Sequence, residues 1–308
     1  MKNYYRVMAG KGSSLAEECF QQGFVGVDYG VAVDLTGKFP DDWRQFNREF
    51  IPVYLQSHPE KTRIAAGSAC GALWTLGRGM QKGDVVFVPD GEGSYHVGEV
   101  TSDYQYQAGK NLPHRRQVRW YPEMVRRDAT SPQMQGSTRS TGTIVDITGY
   151  ANELEKLLSG KGPAVLVSTD ETVENPSAFA LEKHLEDFLV ANWKQTELGK
   201  NYDIYEEDGE LTGQQYQTDT GPIDILAISK DKTDLLVVEL KKGRASDVVV
   251  GQTLRYMGYV QDELREPNQK VSGIIIALED DPKLKRALAM TPAIQFFRYE
   301  VSFKLRKA

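Results

Sequence analysis

Two apolar segments separated by a polar turn constrain the fold of this chain more than any other feature. They lie between Gly221 and Lys242, where the sequence reads GPIDILAISKDKTDLLVVELKK. The apolar runs 223–228 and 235–240 are rich in β-forming residues, and the turn between them is polar and charged. This pattern predicts two antiparallel strands joined as a hairpin.

Three charged residues interrupt these strands, although a buried strand normally carries none. Asp224 lies in the first strand, and Glu239 and Lys241 stand two apart in the second. Because side chains alternate along a strand, Glu239 and Lys241 point to one face, and antiparallel pairing brings Asp224 to the same end. Two carboxylates beside one ammonium suit Mg²⁺ and phosphodiester hydrolysis. A surface hairpin with solvated charges is the alternative that these residues alone leave open.

A segment with helical periodicity follows the hairpin. From Gly251 to Leu264 the sequence reads GQTLRYMGYVQDEL, with apolar residues at helical spacing. Gln252 and Tyr256 stand four apart and therefore lie on one face of the predicted helix.

Together these segments resemble the PD-(D/E)xK nuclease superfamily. The segments IDILAI, LLVVELKKGRASD and GQTLRYMGYV most resemble the NucS-like endonuclease domain and are also similar to Mrr-type restriction nucleases. Ile223–Asp224 stands where the superfamily usually has proline–aspartate. The resemblance runs from about Ala178 to the C-terminus. It implies a restriction-endonuclease-like α/β fold, a mixed sheet flanked by helices, for residues 161–308.

The resemblance also implies a role for each residue of the hairpin. Asp224 and Glu239 would bind Mg²⁺, or Mn²⁺ as a substitute, together with the backbone carbonyl of Leu240. Lys241 would orient the attacking water and offset the charge that builds on the phosphate.

Residues outside the hairpin would complete this site. Gln252 and Tyr256 would position the phosphate or brace the lysine. In the resembling nucleases a glutamate of the first helix often joins the metal site. The helix predicted over 179–193 offers Glu182 for that role, with Glu186 as its substitute. A solvated place on the helix surface is the alternative for both.

The N-terminal half is predicted to be an α+β unit over residues 1–128. Short strands, a few helices and many glycines favour a small β-barrel or curled sheet. The order of its segments, with MQKGDVV and VGEV at the centre, resembles the PUA-like EVE domains of McrB-type restriction proteins. That resemblance implies an aromatic pocket for a flipped-out modified base, and the candidate walls are Tyr29, Trp43 and Trp74. A place in the core is the alternative for each.

Residues 129–160 are predicted to be a linker and a connecting helix, because 129–143 is rich in Ser, Thr, Gly and Pro. Basic residues cluster just before this segment, between Lys110 and Arg127. The predicted phosphate contacts are Arg115, Arg116, Arg119, Lys242 and Arg244. A solvated basic edge is the alternative for the cluster.

Composition narrows the class of protein. The 308 residues carry a net charge of −6, which argues against indiscriminate coating of nucleic acid but not against local binding. Only two cysteines are present, and no apolar run approaches the roughly 20 residues of a membrane span. A cytoplasmic protein with no membrane partner is therefore expected. The resemblance adds a homodimer, since cutting both DNA strands usually requires two active sites.

These observations predict a Mg²⁺-dependent DNA endonuclease, and specifically a modification-dependent restriction enzyme of antiviral defence. One alternative is a NucS-like repair endonuclease that acts on mismatched or branched DNA. Another is a nuclease effector that a nucleotide bound in the N-terminal domain switches on. A non-catalytic reader of modified nucleic acid is disfavoured, because Asp224, Glu239 and Lys241 are all present.

Overall fold

The computed structural model describes residues 2–138, 142–159, 185–207 and 209–300. They form two sheets, one from each half of the chain, with helices packed against both. The N-terminal sheet is curled and belongs to an α+β unit, and the C-terminal sheet is mixed and flanked by helices, so the predicted fold class is confirmed. Within these ranges, no helix has the length and apolar character needed to cross a membrane.

The N-terminal unit contains eight strands and five α-helices among the described residues. The strands are β1 (Tyr4–Val7), β2 (Phe24–Val27), β3 (Val85–Pro89), β4 (Ser94–Val100), β5 (Gln105–Tyr106), β6 (His114–Trp120), β7 (Val125–Arg126) and β8 (Ile144–Asp146). The helices are α1 (Ala16–Gln22), α2 (Trp43–Ser57), α3 (Arg63–Trp74), α4 (Pro132–Ser137) and α5 (Ala151–Leu158). The sheet order is β2-β6-β4-β3-β1-β8, with β5 beside β6 and β7 beside β4.

Strand β3 is the central strand of this sheet because both of its faces are apolar. It pairs with β1 in parallel and with β4 antiparallel. Val86 and Val88 enter one apolar core, and Val85 and Phe87 enter a second core on the other face. A strand buried on both faces reads as a continuous apolar run, which is how the segment VVFV reads.

Helices α2 and α3 cover the first of these cores and pack closely on each other. Each begins at a side-chain cap: Asp42 accepts a hydrogen bond from the Arg44 amide, and Thr62 accepts one from Ala65. A Cβ at Gly71 would lie 2.4 Å from the Trp43 ring, so a glycine at this position lets the indole lie against the backbone of α3.

The segment predicted as a linker contributes to the N-terminal fold instead. Strand β8 pairs antiparallel with β1, and Met134 of α4 is fully buried in the second core. The N-terminal unit therefore continues past residue 128, because its sheet needs β8 to cover the edge of β1. The predicted connecting helix is present as α5.

The C-terminal unit contains six strands and three α-helices among the described residues. The strands are β9 (Tyr202–Ile204), β10 (Gln214–Thr218), β11 (Gly221–Ser229), β12 (Asp234–Arg244), β13 (Lys270–Glu279) and β14 (Ile294–Arg298). The helices are α6, described over 185–191, α7 (Val248–Tyr259) and α8 (Pro282–Ala289). A π-helical turn, Val260–Leu264, extends α7.

The order of the C-terminal sheet is β10-β11-β12-β13-β14. The β10-β11-β12 pairs are antiparallel, and the β12-β13-β14 pairs are parallel. Strands β9 and β10 both pair antiparallel with β11, so these two short strands share one neighbour. Helices α7 and α8 pack on one face of the sheet, and α6 packs on the other.

Helices α2 and α3 also pack against the C-terminal unit. Ile64 of α3 belongs to the C-terminal core, and its carbonyl accepts a hydrogen bond of 2.8 Å from the Tyr216 hydroxyl. Asn47 donates to the Tyr259 hydroxyl at 3.1 Å. A Cβ at Gly67 would lie 2.8 Å from the Tyr216 oxygen, so the helix approaches the sheet as closely as a glycine allows.

Ion pairs surround this buried contact between the two units. Arg44 of α2 lies 2.6 Å from Asp219 in the β10-β11 turn, and Lys61 lies 2.8 Å from Glu207. The turn that leads into β11, the strand of Asp224, is therefore in direct contact with helix α2.

Candidate active site

The hairpin opens at the end where its charged residues lie. The β11–β12 pairing runs from Ile228–Leu235 to Ile225–Val238. Beyond it, the Leu240 amide donates to Oδ2 of Asp224 at 2.8 Å, so a side chain takes the place of a strand carbonyl. The N–H and C=O of one strand residue face the same neighbouring strand, which directs the Leu240 carbonyl to the Asp224 side as well.

Glu239 and Lys241 lie on one face of β12, as strand alternation predicts. Lys241 Nζ lies 3.0 Å from Glu239 Oε1, and the Glu239 side chain is only 2% exposed whereas Lys241 is 27% exposed. A buried carboxylate is costly unless a cation compensates it. The ammonium therefore sits between the buried carboxylate and the solvent.

Helix α7 presents Gln252 and Tyr256 to this site. Gln252 Nε2 lies 3.4 Å from the Tyr256 hydroxyl oxygen. Burial is the main cause that raises the pKa of Tyr256 to about 12, and the negative charges of Glu239 and Asp224 add to it. Tyr256 is therefore a phenol at neutral pH and can donate a hydrogen bond next to the carboxylates.

The structure defines the surroundings of one of the two predicted helix glutamates. Glu182 lies outside the described residues. Glu186 of α6 is 2% exposed and accepts hydrogen bonds from two consecutive amides of β10. Gln214 Nε2 donates to its Oε1 at 2.7 Å, and Gln215 Nε2 donates to its Oε2 and also to Oδ1 of Asp224 at 3.2 Å.

Gln214 and Gln215 were missed by the reasoning from sequence. Consecutive strand residues point to opposite faces, so no alternation pattern would direct both amides to one glutamate. The backbone of Gln215 has φ +53°, the left-handed region, and this conformation redirects its side chain. A non-glycine residue in that region gives no signal in a single sequence.

The oxygen atoms at this end of the hairpin fit a hard divalent cation. Mg²⁺ is commonly held by one or two carboxylates and several waters. Asp224 and Glu239 would supply the carboxylates, and Leu240 would supply a carbonyl. Within the described part of the chain, no three His, Cys, Asp or Glu side chains form a group that could hold a metal ion.

The basic residues predicted to contact phosphates differ in how deeply they are buried. Arg115 and Arg116 are 3% and 4% exposed, and their guanidinium groups donate to carbonyls of residues 111, 112, 76, 77 and 102. Each guanidinium therefore lies in the interior, because β6 is covered on both faces at these two residues. Arg119 and Arg244 are exposed and pair with Glu99 and Glu279 at 3.1 and 3.3 Å. Lys242 is half-buried on β12.

The three predicted pocket aromatics do not form a slot. Trp43 and Trp74 stack on each other with ring centroids 5.8 Å apart and planes 8° apart. A base inserted between two rings needs twice the stacking distance, and this pair leaves no such gap. Tyr29 lies near Thr143, Tyr54 and Arg6, where burial raises its pKa.

Two cavities lie elsewhere. One of about 270 Å³ opens on the N-terminal unit beside Phe39, Tyr104 and the buried Arg116, with none of the three predicted aromatics in its lining. A second of about 360 Å³ lies at the start of β12 and β13, near Asp234 and Lys270. Strand β12 separates this second cavity from Glu239.

Two family models match separate parts of the chain. Residues 190–304 match the Endonuclease NucS C-terminal domain, and Asp224, Glu239, Lys241, Gln252 and Tyr256 all lie in that range. Residues 5–148 match a domain of unknown function, DUF8426. The resemblance to EVE domains therefore stays a prediction, whereas the NucS-like resemblance agrees with an independent comparison. No curated protein matches the chain.

Solved structures of DNA-cleaving enzymes are similar at low identity. An EndoMS–dsDNA complex aligns at 15% identity and a TM-score of 0.32, over 68% of this chain and 62% of that one. A repair endonuclease from Pyrococcus abyssi aligns at 15% identity and a TM-score of 0.31, over 69% and 66%. MspJI restriction endonuclease with a 27-mer oligonucleotide aligns at 9% identity and a TM-score of 0.24, over 77% and 60%.

The chain thus covers less than two thirds of the length of each of these three structures. The match of residues 190–304 to the NucS C-terminal model is the comparison that supports a DNA-cleaving hydrolase.

Proposed function

We propose that this chain is a Mg²⁺-dependent DNA endonuclease that cuts modified DNA in restriction or antiviral defence. The observation that carries the proposal is the meeting of Asp224, Glu239 and Lys241 around the Leu240 backbone at the open end of the hairpin. The NucS C-terminal match covers the same residues and supports endonuclease chemistry.

The protein residues have separate tasks in this proposal. Asp224 and Glu239 hold the cation, which when bound would polarise the phosphate and lower the pKa of a bound water. Lys241 holds the attacking water and offsets negative charge on the phosphate. Tyr256 keeps its proton because its pKa is raised to about 12, and it donates to a phosphate oxygen from a position that Gln252 steadies.

Target selection is assigned to the N-terminal unit. The 270 Å³ cavity combines two aromatic rings, Phe39 and Tyr104, with the exposed guanidinium of Arg78 and the side-chain amide of Gln81. Rings stack on a base, and amide or guanidinium groups bind its edge. This cavity, and not the Trp43–Trp74 pair, is our candidate for the base-binding site.

The test is cleavage in Mg²⁺ of matched plasmids with unmodified, methylated, hydroxymethylated or glucosylated bases. Cutting of one modified plasmid, lost in Asp224→Ala and Lys241→Ala, is the expected result. Asp203→Ala and Lys230→Ala are the matched controls. Both residues are exposed, and these substitutions remove one negative and one positive charge away from the site. Equal cutting of all four plasmids would retain the nuclease and reject the modified-base reader.

A repair endonuclease acting on mismatched or branched DNA is the second candidate, and the NucS C-terminal match favours it. Mismatched, flapped and modified duplexes of one sequence, compared in competition, separate the two candidates. Preferential cutting of the mismatched or the flapped duplex would support the repair function and reject the restriction function.

The N-terminal cavity also fits the third candidate, a nuclease switched on by a nucleotide. Stimulated cutting of unmodified DNA after addition of mononucleotides or cyclic nucleotides would favour that reading. Because cutting two strands needs two sites, we also propose a homodimer on DNA, which sedimentation of the protein–DNA complex would test.

A further inference from the structure

Gln215 connects α6 to the catalytic hairpin. Its Nε2 donates one hydrogen bond to Oε2 of Glu186 and one to Oδ1 of Asp224. The second oxygen of Asp224 is occupied by the Leu240 amide at 2.8 Å. Both oxygens of Asp224 are therefore held, one by the backbone of β12 and one by Gln215.

The backbone of Gln215 is shaped for this contact. The recorded pairs Gln214–Ile225 and Tyr216–Ile223 flank it, which places Gln215 opposite Asp224 across the hairpin. Its φ of +53° is unfavourable for a residue with a Cβ, and glycine is the usual occupant of such positions. Non-glycine residues held in this region concentrate at functional sites, where surrounding contacts maintain them.

The negative charges of Glu186 and Asp224 explain why a neutral amide between them is favourable. Glu186 is buried, Asp224 is half-buried, and two carboxylates brought close together repel each other. A neutral amide that donates one N–H to each carboxylate satisfies both without adding an acceptor between them. Gln215 can therefore fix the spacing and orientation of the two carboxylates before any cation arrives.

We infer that Gln215 is a positioning residue that holds Asp224 and Glu186 in a cation-ready arrangement. This inference rests on the proposed function and deepens it, since it names the side chain that organises the carboxylates. Groups that orient metal-binding carboxylates typically contribute about 10–100-fold to metal affinity.

The experiment measures Mn²⁺ and Mg²⁺ binding to the full DNA-free chain by calorimetry. Gln215→Gly removes the amide and accepts the left-handed backbone without strain. Gln215→Asn is a second variant, because asparagine tolerates that backbone but is one methylene too short to reach both carboxylates. In both variants we expect metal affinity to fall about 10–100-fold. The metal concentration for half-maximal cleavage should rise by the same factor, with the rate at saturating metal changed much less.

Lys232→Gly is the matched control. Lys232 has φ +61° in the β11–β12 turn, at the other end of the hairpin, so its replacement relieves the same backbone strain away from the site. It should leave metal affinity unchanged. Thermal unfolding of each metal-free variant measures stability separately, because a residue that only braces the hairpin would change stability and not affinity.

Metal affinity in Gln215→Gly and Gln215→Asn equal to or tighter than that of the parent would overturn the inference. Asp224→Ala distinguishes this result from failure of the proposed function. If Asp224→Ala abolishes binding and cleavage while the Gln215 variants keep both, only the inference fails. If the parent protein binds neither metal, or Asp224→Ala still cuts DNA, the proposed function fails.

Discussion

Buried charges serve different ends in the two halves of the molecule. In the N-terminal unit, the guanidinium of Arg115 donates to backbone carbonyls of residues 111 and 112, and its carbon lies 3.7 Å from the centre of the Phe24 ring. In the C-terminal unit, Glu239 and Lys241 face each other at the open end of a hairpin.

This difference separates structural from chemical use of charge. A guanidinium surrounded by loop carbonyls fixes those loops and has few N–H groups left for a ligand. Carboxylates and an ammonium at the place where two strands separate keep their charges close to solvent and to one another. Only the second arrangement is suited to bind a cation and a phosphate.

Removing the proposed catalytic charge should have the largest effect on activity and little effect on stability. In Glu239→Gln the shape is kept but one carboxylate of the pair is lost. We expect cleavage to slow about 1000-fold or more, equivalent to about 4 kcal/mol of transition-state stabilisation. Single-turnover cleavage and thermal unfolding measure the two effects.

Asp203→Asn is the control for Glu239→Gln, because Asp203 is an exposed residue on β9. It should cut like the parent. A Glu239→Gln protein that unfolds at much lower temperature than the parent would assign Glu239 to the fold and remove the contrast between the two regions.

Removing a buried guanidinium should lower the stability of the fold and leave the salt dependence of DNA binding unchanged. Arg115→Ala leaves several carbonyls without a donor, and we expect a loss of about 2–4 kcal/mol of unfolding free energy. DNA affinity should keep its dependence on salt, since no phosphate contact is lost. Denaturant unfolding and DNA binding at several salt concentrations are the measurements.

Arg119→Ala is the comparison within the same strand. Arg119 is 68% exposed, so its loss should leave stability unchanged. If it contacts a phosphate, the slope of log affinity against log salt should fall by about 1. A reduced slope of log affinity against log salt in Arg115→Ala would instead indicate that Arg115 contacts a phosphate.

The sequence predicted the relative positions of the charged residues at the open end of the hairpin well, because these positions depend on local rules. Strand alternation placed Glu239 and Lys241 on one face, and the short turn placed Asp224 opposite them. Helical spacing placed Gln252 and Tyr256 together. Gln215 escaped these rules because its φ of +53° breaks the alternation.

The N-terminal predictions depended on long-range packing and were less accurate. Arg115 and Arg116 were predicted to lie in a surface patch, yet both faces of β6 are covered at these two residues. Trp43 and Trp74 are neighbours as expected, but Gly71 lets Trp43 settle against α3, where it stacks on Trp74. Single-residue patterns cannot show which loop or helix will cover a strand.

Close packing between the two units gives the next largest expected effect. In Gly67→Ala the new Cβ would lie 2.5 Å from Leu264 and 2.8 Å from the Tyr216 hydroxyl. We expect a loss of about 1–3 kcal/mol, although alanine favours a helix by about 1 kcal/mol over glycine. Calorimetric unfolding measures this loss.

Gly258→Ala is the matched helical control, because a Cβ at Gly258 would have no neighbour within 4 Å. Its stability should rise. If Gly67→Ala also gains stability, α3 does not contact the C-terminal sheet as closely as described, and the two units are less firmly coupled than the Arg44–Asp219 and Tyr216–Ile64 contacts indicate.

The smallest expected effect is a pH-dependent one at the same interface. Burial raises the pKa of Glu263, and the nearby Arg48 and Arg44 offset this only in part. A carboxyl with a raised folded pKa stabilises the fold below its usual pKa, and that contribution is lost as pH rises through the folded pKa. Glu263→Gln should therefore be slightly more stable than the parent at neutral pH and equal to it at about pH 4.

Thermal unfolding of both proteins from about pH 4 to about pH 8 tests this sign. Asp262→Asn, at the exposed neighbouring position, should show no such difference. Lower stability of Glu263→Gln at neutral pH would mean that attraction to Arg48, 3.9 Å away, exceeds the cost of burial. Glu263 would then resemble Glu239, a buried carboxylate paired with a cationic side chain, and the interface would also contain a buried carboxylate stabilised by its ion pair.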